Sequence, residues 1–196
     1  AEMRERVAEV LRSVDLDPRV GELYPHELSG GMKQRVCIAI AISLRPKVVI
    51  ADEPTSALDV VVQQQVMETI ERLQEEMGIS VILIGHDMGL MAQSVQRLAV
   101  MYAGHLVEIS DVEDIFADPL HPYTQLLIST LPTLGQKGVF RGIPGITPSL
   151  LDPPEGCLFS PRCPKASADC AHESAPLVEV RPGRVVACHL YGEVKR

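Results

Sequence analysis

Residues 48–53, Val-Val-Ile-Ala-Asp-Glu, restrict this chain more than any other stretch. Four apolar residues follow the Arg45-Pro46-Lys47 turn and run straight into two adjacent carboxylates. A short apolar run bounded by a turn is expected of a strand buried on both faces, and such strands belong to parallel sheets covered by helices. The class that follows is α/β. Ligands in these sheets bind beyond the carboxyl ends of the strands, where Asp52 and Glu53 fall. One carboxylate can hold Mg²⁺, largely through its waters, and the neighbouring one can orient or deprotonate an attacking water. The plainer alternative is a solvated acidic turn before the next helix.

A second stretch bears on the same chemistry. Residues 28–35 read Leu-Ser-Gly-Gly-Met-Lys-Gln-Arg and lead into an apolar helix over residues 36–44. Ser29 is a good N-cap. A helix start offers free N–H groups and the positive end of the helix dipole, which favour an anion. Gly30 and Gly31 lack Cβ atoms, so a phosphate could approach the backbone closely. Taken alone, Ser-Gly-Gly also reads as a turn before a core helix. Cys37, inside that helix, reads as an ordinary core residue.

Downstream, a helix is expected from Asp59 to Met77, striped by Val62, Val66, Ile70, Leu73 and Met77 and stopped by Gly78. Residues 80–84 form a second buried parallel strand, and His86 lies at its end, on the ligand edge that Asp52 shares. His86 can donate to a phosphate there; its plainer role is to close a turn.

These residues together resemble the ATP-binding cassette (ABC) ATPases. Residues 28–35 look like their signature motif, residues 48–53 like their Walker B strand, Ser56-Ala57-Leu58-Asp59 like their D-loop, and His86 stands in the place of their switch histidine. The text Tyr24-Pro25-His26-Glu27 and the tail after His121 look most like the ATPase subunits of oligopeptide and dipeptide importers. The fold implied is a partial P-loop NTPase of the ABC type, with a parallel sheet and a helical subdomain that includes the amphipathic helix near residues 3–16. No G-x-x-x-x-G-K-[ST] occurs in the 196 residues, so the phosphate loop is lacking and the chain reads as the C-terminal part of a longer subunit.

The resemblance implies ATP and Mg²⁺ as ligands. Glu53 and His86 would be catalytic, with Ser29, Gly30, Gly31, Gln34, Asp52 and Asp59 binding nucleotide. The implied partners are a second ABC ATPase subunit (identical or homologous), two membrane permease subunits and an extracytoplasmic peptide-binding protein. The subunit would sit peripherally on the cytoplasmic face of the inner membrane and power peptide import. This fragment alone would be inactive. Two other functions compete: a soluble, non-transport ABC ATPase, and a metal-bearing interaction module built on a cassette remnant.

Composition narrows the field. A net charge of −8 argues against a general nucleic-acid surface, and the longest apolar stretch is too short to cross a bilayer. From residue 132 to 164 the chain turns Pro- and Gly-rich, holding seven of the fifteen prolines, which marks an irregular segment. Two domains are therefore expected: 1–131, the cassette part, and 132–196, a small irregular cysteine-containing domain. Cys157, Cys163, Cys170 and Cys188 follow a C-x5-C-x6-C-x17-C pattern. Four thiolates can enclose a [4Fe–4S] cluster or Zn²⁺. The absence of a close C-x₂₋₄-C pair leans towards iron–sulfur, as does the resemblance, since some such importer ATPases carry a cluster. Disulfides and unliganded thiols are the alternatives.

Overall fold

The computed structural model describes residues 2–131 and 142–191. They fall into two compact units, one ending at Asp87 and the other beginning at Met88.

In the first unit, α1 (Glu2–Ser13) buries Val10 and Leu11, and a 3-10 turn at Pro18–Glu22 returns Val20 to the same core. Asp17 caps that turn by accepting the Arg19 N–H at 2.9 Å. The helix α2 (Gly30–Ile42) leads to β1 (Val48–Asp52), and α3 (Val60–Met77) crosses over to β2 (Ser80–Ile84). Asp59 caps α3, and Gly78 ends it in the left-handed region at φ 63°, where a Cβ would be strained. The strands β1 and β2 pair in parallel, Val48 opposite Ser80 through Asp52 opposite Ile84.

Two expectations are corrected here. Among the described residues this sheet has two strands, and only one of its faces is covered. Val49, Ala51, Val81 and Leu83 face inward, while Val48, Ile50, Ile82 and Ile84 alternate outward, Ile50 being 65% exposed. The strand is continuous in apolar residues yet not buried on both faces. Likewise α2 buries Ile38, Ala39 and Ile42 but leaves Ile40 and Cys37 exposed, so Cys37 is no core residue.

The second unit holds α4 (Met88–Ser94), β3 (Arg97–Tyr102), β4 (His105–Asp111), α5 (Val112–Ala117) and α6 (Pro122–Ser129). A one-turn helix α7 (Asp169–His172) and the short strands β5 (Val178–Arg181) and β6 (Arg184–Val186) follow. The sheet is antiparallel, ordered β3-β4-β6-β5. Because β6 pairs with β4 at Glu108–Val186 and Ile109–Val185, the tail completes a sheet begun before residue 131. The expected division into 1–131 and 132–196 falls where residues 132–141 lie outside the described residues. Aromatic packing holds the core: Phe159 meets the edges of Tyr102 and Tyr123 at centroid distances of 5.1 and 5.4 Å.

Beneath that core lies a fully buried carboxylate. Glu108 accepts the Leu120 and His121 N–H groups at 2.8 and 2.9 Å. Its charge faces Arg184, which is buried too, at 4.0 Å. Arg184 in turn bonds the Asp118 carboxylate and main-chain oxygen. His121, 2% exposed, accepts the Tyr123 N–H on Nδ1 and so starts α6.

Candidate functional site

The start of α2 is an open helix tip. Ser29 is extended (φ −65°, ψ 166°), its Oγ accepts the Met32 N–H at 3.3 Å, and its carbonyl accepts that of Lys33. The Gly30 and Gly31 N–H groups thus belong to the first-turn donors that have no acceptor within their own helix. Ser29 and Gly30 are exposed. The tip is open to solvent.

The glycines have a second role that spacing does not reveal. Neither adopts a positive φ. A Cβ on Gly31 would lie 2.6 Å from Val62 Cγ1, and one on Gly30 would lie 3.0 Å from Leu58 Cδ2. The space left by the missing side chains is filled from within the same unit, by the residues on either side of Asp59. Asp59 itself accepts the Val62 N–H at 3.0 Å.

At the carboxyl ends of β1 and β2 the two acids part company. Asp52 completes β1 and is exposed. Glu53 turns into the left-handed region (φ 45°), held there because its N–H donates to the Ile84 carbonyl at 2.9 Å. A non-glycine residue in that region carries strain that the surroundings must hold in place. The turn brings Glu53 Oε1 within 3.2 Å of His86 Nδ1, with both side chains open to solvent. Gln34 and Asp52 line one groove of about 320 Å³ beside β1, with Cys37, Ile38 and Pro54. Sequence reasoning named Glu53 and His86 separately; the contact between them, and the parts of Leu58 and Val62, had no local signal.

The four tail cysteines carry no disulfide. Among the described residues no three His, Cys, Asp or Glu side chains gather into a group able to hold a metal ion, so the expected cluster lacks a ready ligand set and the arrangement does not fit one as it stands. The thiols are neighbours nonetheless. Burial pushes the Cys188 thiol up, and the other three thiols push it further; Cys163 is raised by burial and by Cys157 and Cys170. Local contacts hold them: the Cys157 N–H donates to the Cys170 carbonyl at 2.8 Å, Lys165 N–H to Cys163 Sγ at 3.4 Å, and Ser167 Oγ lies 3.4 Å from Cys170 Sγ. Gly156 permits the first of these, since a Cβ there would collide with the Cys170 carbonyl and Ala171.

Comparison with known proteins is consistent with this geometry. The family model for the ABC transporter matches residues 2–56, and that for the oligopeptide/dipeptide transporter C-terminal region matches residues 107–170. The chain is 46% identical over 189 residues to a putative oligopeptide transport ATP-binding protein, YkfD, of Bacillus subtilis, covering 94% of this chain and 57% of that protein. It is 44% identical over 195 residues to the oligopeptide transport ATP-binding protein AppD of the same organism, covering 98% and 60%. Against the dipeptide transport ATP-binding protein DppD of Escherichia coli it is 45% identical over 189 residues, covering 95% and 58%. The chain thus spans less than two thirds of the length of these relatives. Among solved structures, the cassette MJ0796 in a dimeric post-hydrolysis state with ADP and Pi is similar at a TM-score of 0.50 and 32% identity, over 57% of this chain and 47% of that one. The protein cbiO1 of Clostridium perfringens, part of the ABC transporter complex cbiONQ, is similar at 0.53 and 32%, over 60% and 46%.

Proposed function

We propose that this chain, whose homologues are ATP-binding subunits of oligopeptide and dipeptide ABC transporters, forms part of an ATP-hydrolysing subunit that powers peptide import. The observation that carries the proposal is the Glu53–His86 contact at the ends of two parallel strands, in the same unit as a solvent-exposed, serine-capped helix tip.

In this reading Glu53 orients the attacking water and takes up its proton, and His86, bonded to Glu53 through Nδ1, keeps that carboxylate turned to its task. Asp52, a hard oxygen donor at the strand end, would hold Mg²⁺ largely through waters; the metal supplies charge neutralisation at the phosphates when bound. The first-turn N–H groups of α2 and Ser29 would receive the γ-phosphate of ATP held by a second subunit, identical or homologous, with Gln34 reaching the same nucleotide. Asp59 lies in the loop that would speak across that dimer. Two permease subunits and an extracytoplasmic peptide-binding protein complete the proposed assembly, and no nucleic acid takes part. No helix among the described residues is long and apolar enough to cross a membrane, in keeping with a subunit bound peripherally to the cytoplasmic face through its permeases. The match of residues 107–170 to the peptide-transporter C-terminal region favours transport over a soluble, non-transport ATPase.

Glu53→Gln in a complete subunit tests the assignment. It should leave ATP binding intact and lower turnover by about 100-fold or more, the usual share of a general base. Unchanged hydrolysis would refute it. For the tail, the neighbouring thiols support a [4Fe–4S] cluster on Cys157, Cys163, Cys170 and Cys188 only with rearrangement of their side chains; zinc is the lesser alternative. Anaerobic purification with iron, sulfide and zinc analysis decides: metal-free protein in which all five thiols titrate, the four of the tail and exposed Cys37, removes the cluster.

A further inference from the structure

A glycine in a helix is tolerated at a cost unless something needs its missing side chain, and alanine there normally stabilises. Gly31 lies in the first turn of α2 with a φ that any residue can adopt. Backbone conformation therefore does not require it. What requires it is Val62 Cγ1, 2.6 Å from the place its Cβ would take. That methyl belongs to a β-branched side chain in the first turn of α3, where χ1 has essentially one setting, so it cannot swing aside. At Gly30 the contact is milder: 3.0 Å to a terminal methyl of Leu58, which has other rotamers.

Val62 is held from the other side as well. Its N–H donates to the Asp59 carboxylate at 3.0 Å, and the next residue, Gln63, donates its N–H to the Asp59 carbonyl at 2.8 Å and its side-chain amide to the Thr55 carbonyl at 3.1 Å. One residue thus touches the glycine tip with its side chain and the 55–59 loop with its backbone.

We propose that Val62 is a positioning residue: by filling the place of the Gly31 side chain while anchored to Asp59, it locks the N–H donors at the start of α2 to the 55–59 loop as one rigid piece. Any movement of that loop is then transmitted directly to the donors. Gly31 is a glycine because of a neighbour within its own chain, since a Cβ there would run into Val62. The packing claim stands without the ATPase reading; the catalytic consequence rests on it.

The test is a double-mutant cycle with two readouts. In the chain itself, Gly31→Ala should lower Tm by several degrees, as expected when a packed contact is overfilled. With Val62→Ala the clashing methyl is gone, and the nearest remaining atom, Cβ of residue 62, lies 3.9 Å away. In that background Gly31→Ala should leave Tm unchanged or raise it, because only helix propensity remains. An equal loss of Tm in both backgrounds overturns the contact. In a complete subunit, Gly31→Ala should lower ATP turnover by about 100-fold, the scale of a misplaced binding group, and Gly31→Ala/Val62→Ala should return to within about tenfold of Val62→Ala alone. Restored Tm without restored turnover overturns the positioning role. Absence of turnover in the unaltered complete subunit sinks the ATPase reading instead, and the Tm cycle then decides the contact alone.

Discussion

Acidification should weaken this protein through one histidine. His121 is 2% exposed, it packs 5.9 Å from the Phe159 ring centroid, and its Nδ1 is occupied as the acceptor for Tyr123 N–H. Protonation would take away that acceptor and place a charge in an apolar core. Burial accordingly holds its pKa down at about 4, against 6.5 for an ordinary histidine. The sign follows directly. Above pH 6.5 the ring is neutral folded and unfolded, and pH has no effect through it. Between 6.5 and about 4 the unfolded chain gains a proton that the folded one refuses, so stability falls as pH falls. At pH 5 the loss is about 2 kcal/mol, and it levels off at about 3 kcal/mol below pH 4, at 1.36 kcal/mol per pKa unit.

The charged groups near this position include Glu108, whose carboxylate accepts the His121 main-chain N–H, and Arg184 beyond it. The variant that isolates the ring is His121→Asn. Asparagine is a good helix cap and does not titrate between pH 4 and 8. It leaves a void beside Phe159, so absolute stability drops at every pH, and only the slope is informative. Urea unfolding at several pH values from 7.5 to 5 should show the unaltered chain losing about 2 kcal/mol more than the variant over that range. Contributions from exposed carboxylates and the other histidines appear in both proteins and cancel. Parallel pH profiles would refute the reasoning, for the ring would then be able to protonate in place.

Three further perturbations have definite outcomes. Glu108→Gln sets an amide N–H₂ against one of the two backbone N–H groups and leaves Arg184 without its buried counter-charge, so urea unfolding should show a loss of about 3 kcal/mol; an unchanged midpoint would mean the network carries no stability. Gly156→Ala forces a Cβ into the Cys170 carbonyl and Ala171 backbone, which cannot rotate away, and should speed labelling of Cys157 and Cys170 by a thiol reagent; unchanged labelling would show that the segment has slack. Asp59→Ala removes the cap of α3 and should cost about 1 kcal/mol in thermal unfolding, whereas Asp59→Asn should cost little because asparagine caps equally well; equal losses for the two variants would mean the acid acts by something other than capping.

Much of the first unit was legible because its signals are local. The Ser29 cap, the stripe of Val66, Ile70 and Leu73 on α3, the Gly78 stop and the run into Asp52 each depend on residues within a turn or two of one another. The errors share a different cause. A continuous apolar strand such as residues 48–51 states that either face could be buried and not that both are; only the neighbouring elements decide, and in the described residues they cover one. The strands β5 and β6 are four and three residues long, and the pairing that gives them meaning reaches back to Glu108 and Ile109. The Pro- and Gly-rich stretch between partners so distant carries no local signal of that pairing. Buried Glu108 was illegible for the same reason, since its partners are backbone amides and an arginine from the tail.

The glycine tip shows where residue type stops being informative. Spacing identifies Gly30 and Gly31 as a place where something must come close, and an anion at a helix start is the natural candidate. The two Cα atoms, however, aim their missing side chains at Leu58 and Val62, while the N–H groups remain the part directed along the helix axis and outward. The demand for glycine and the capacity to bind phosphate are thus separate properties of one turn, satisfied in different directions. A substitution that destroys activity at Gly31 is by that fact ambiguous, and loss of function there cannot be taken as proof of phosphate contact. Only a partner change at Val62, which restores the packing and leaves the N–H groups as they were, separates the two.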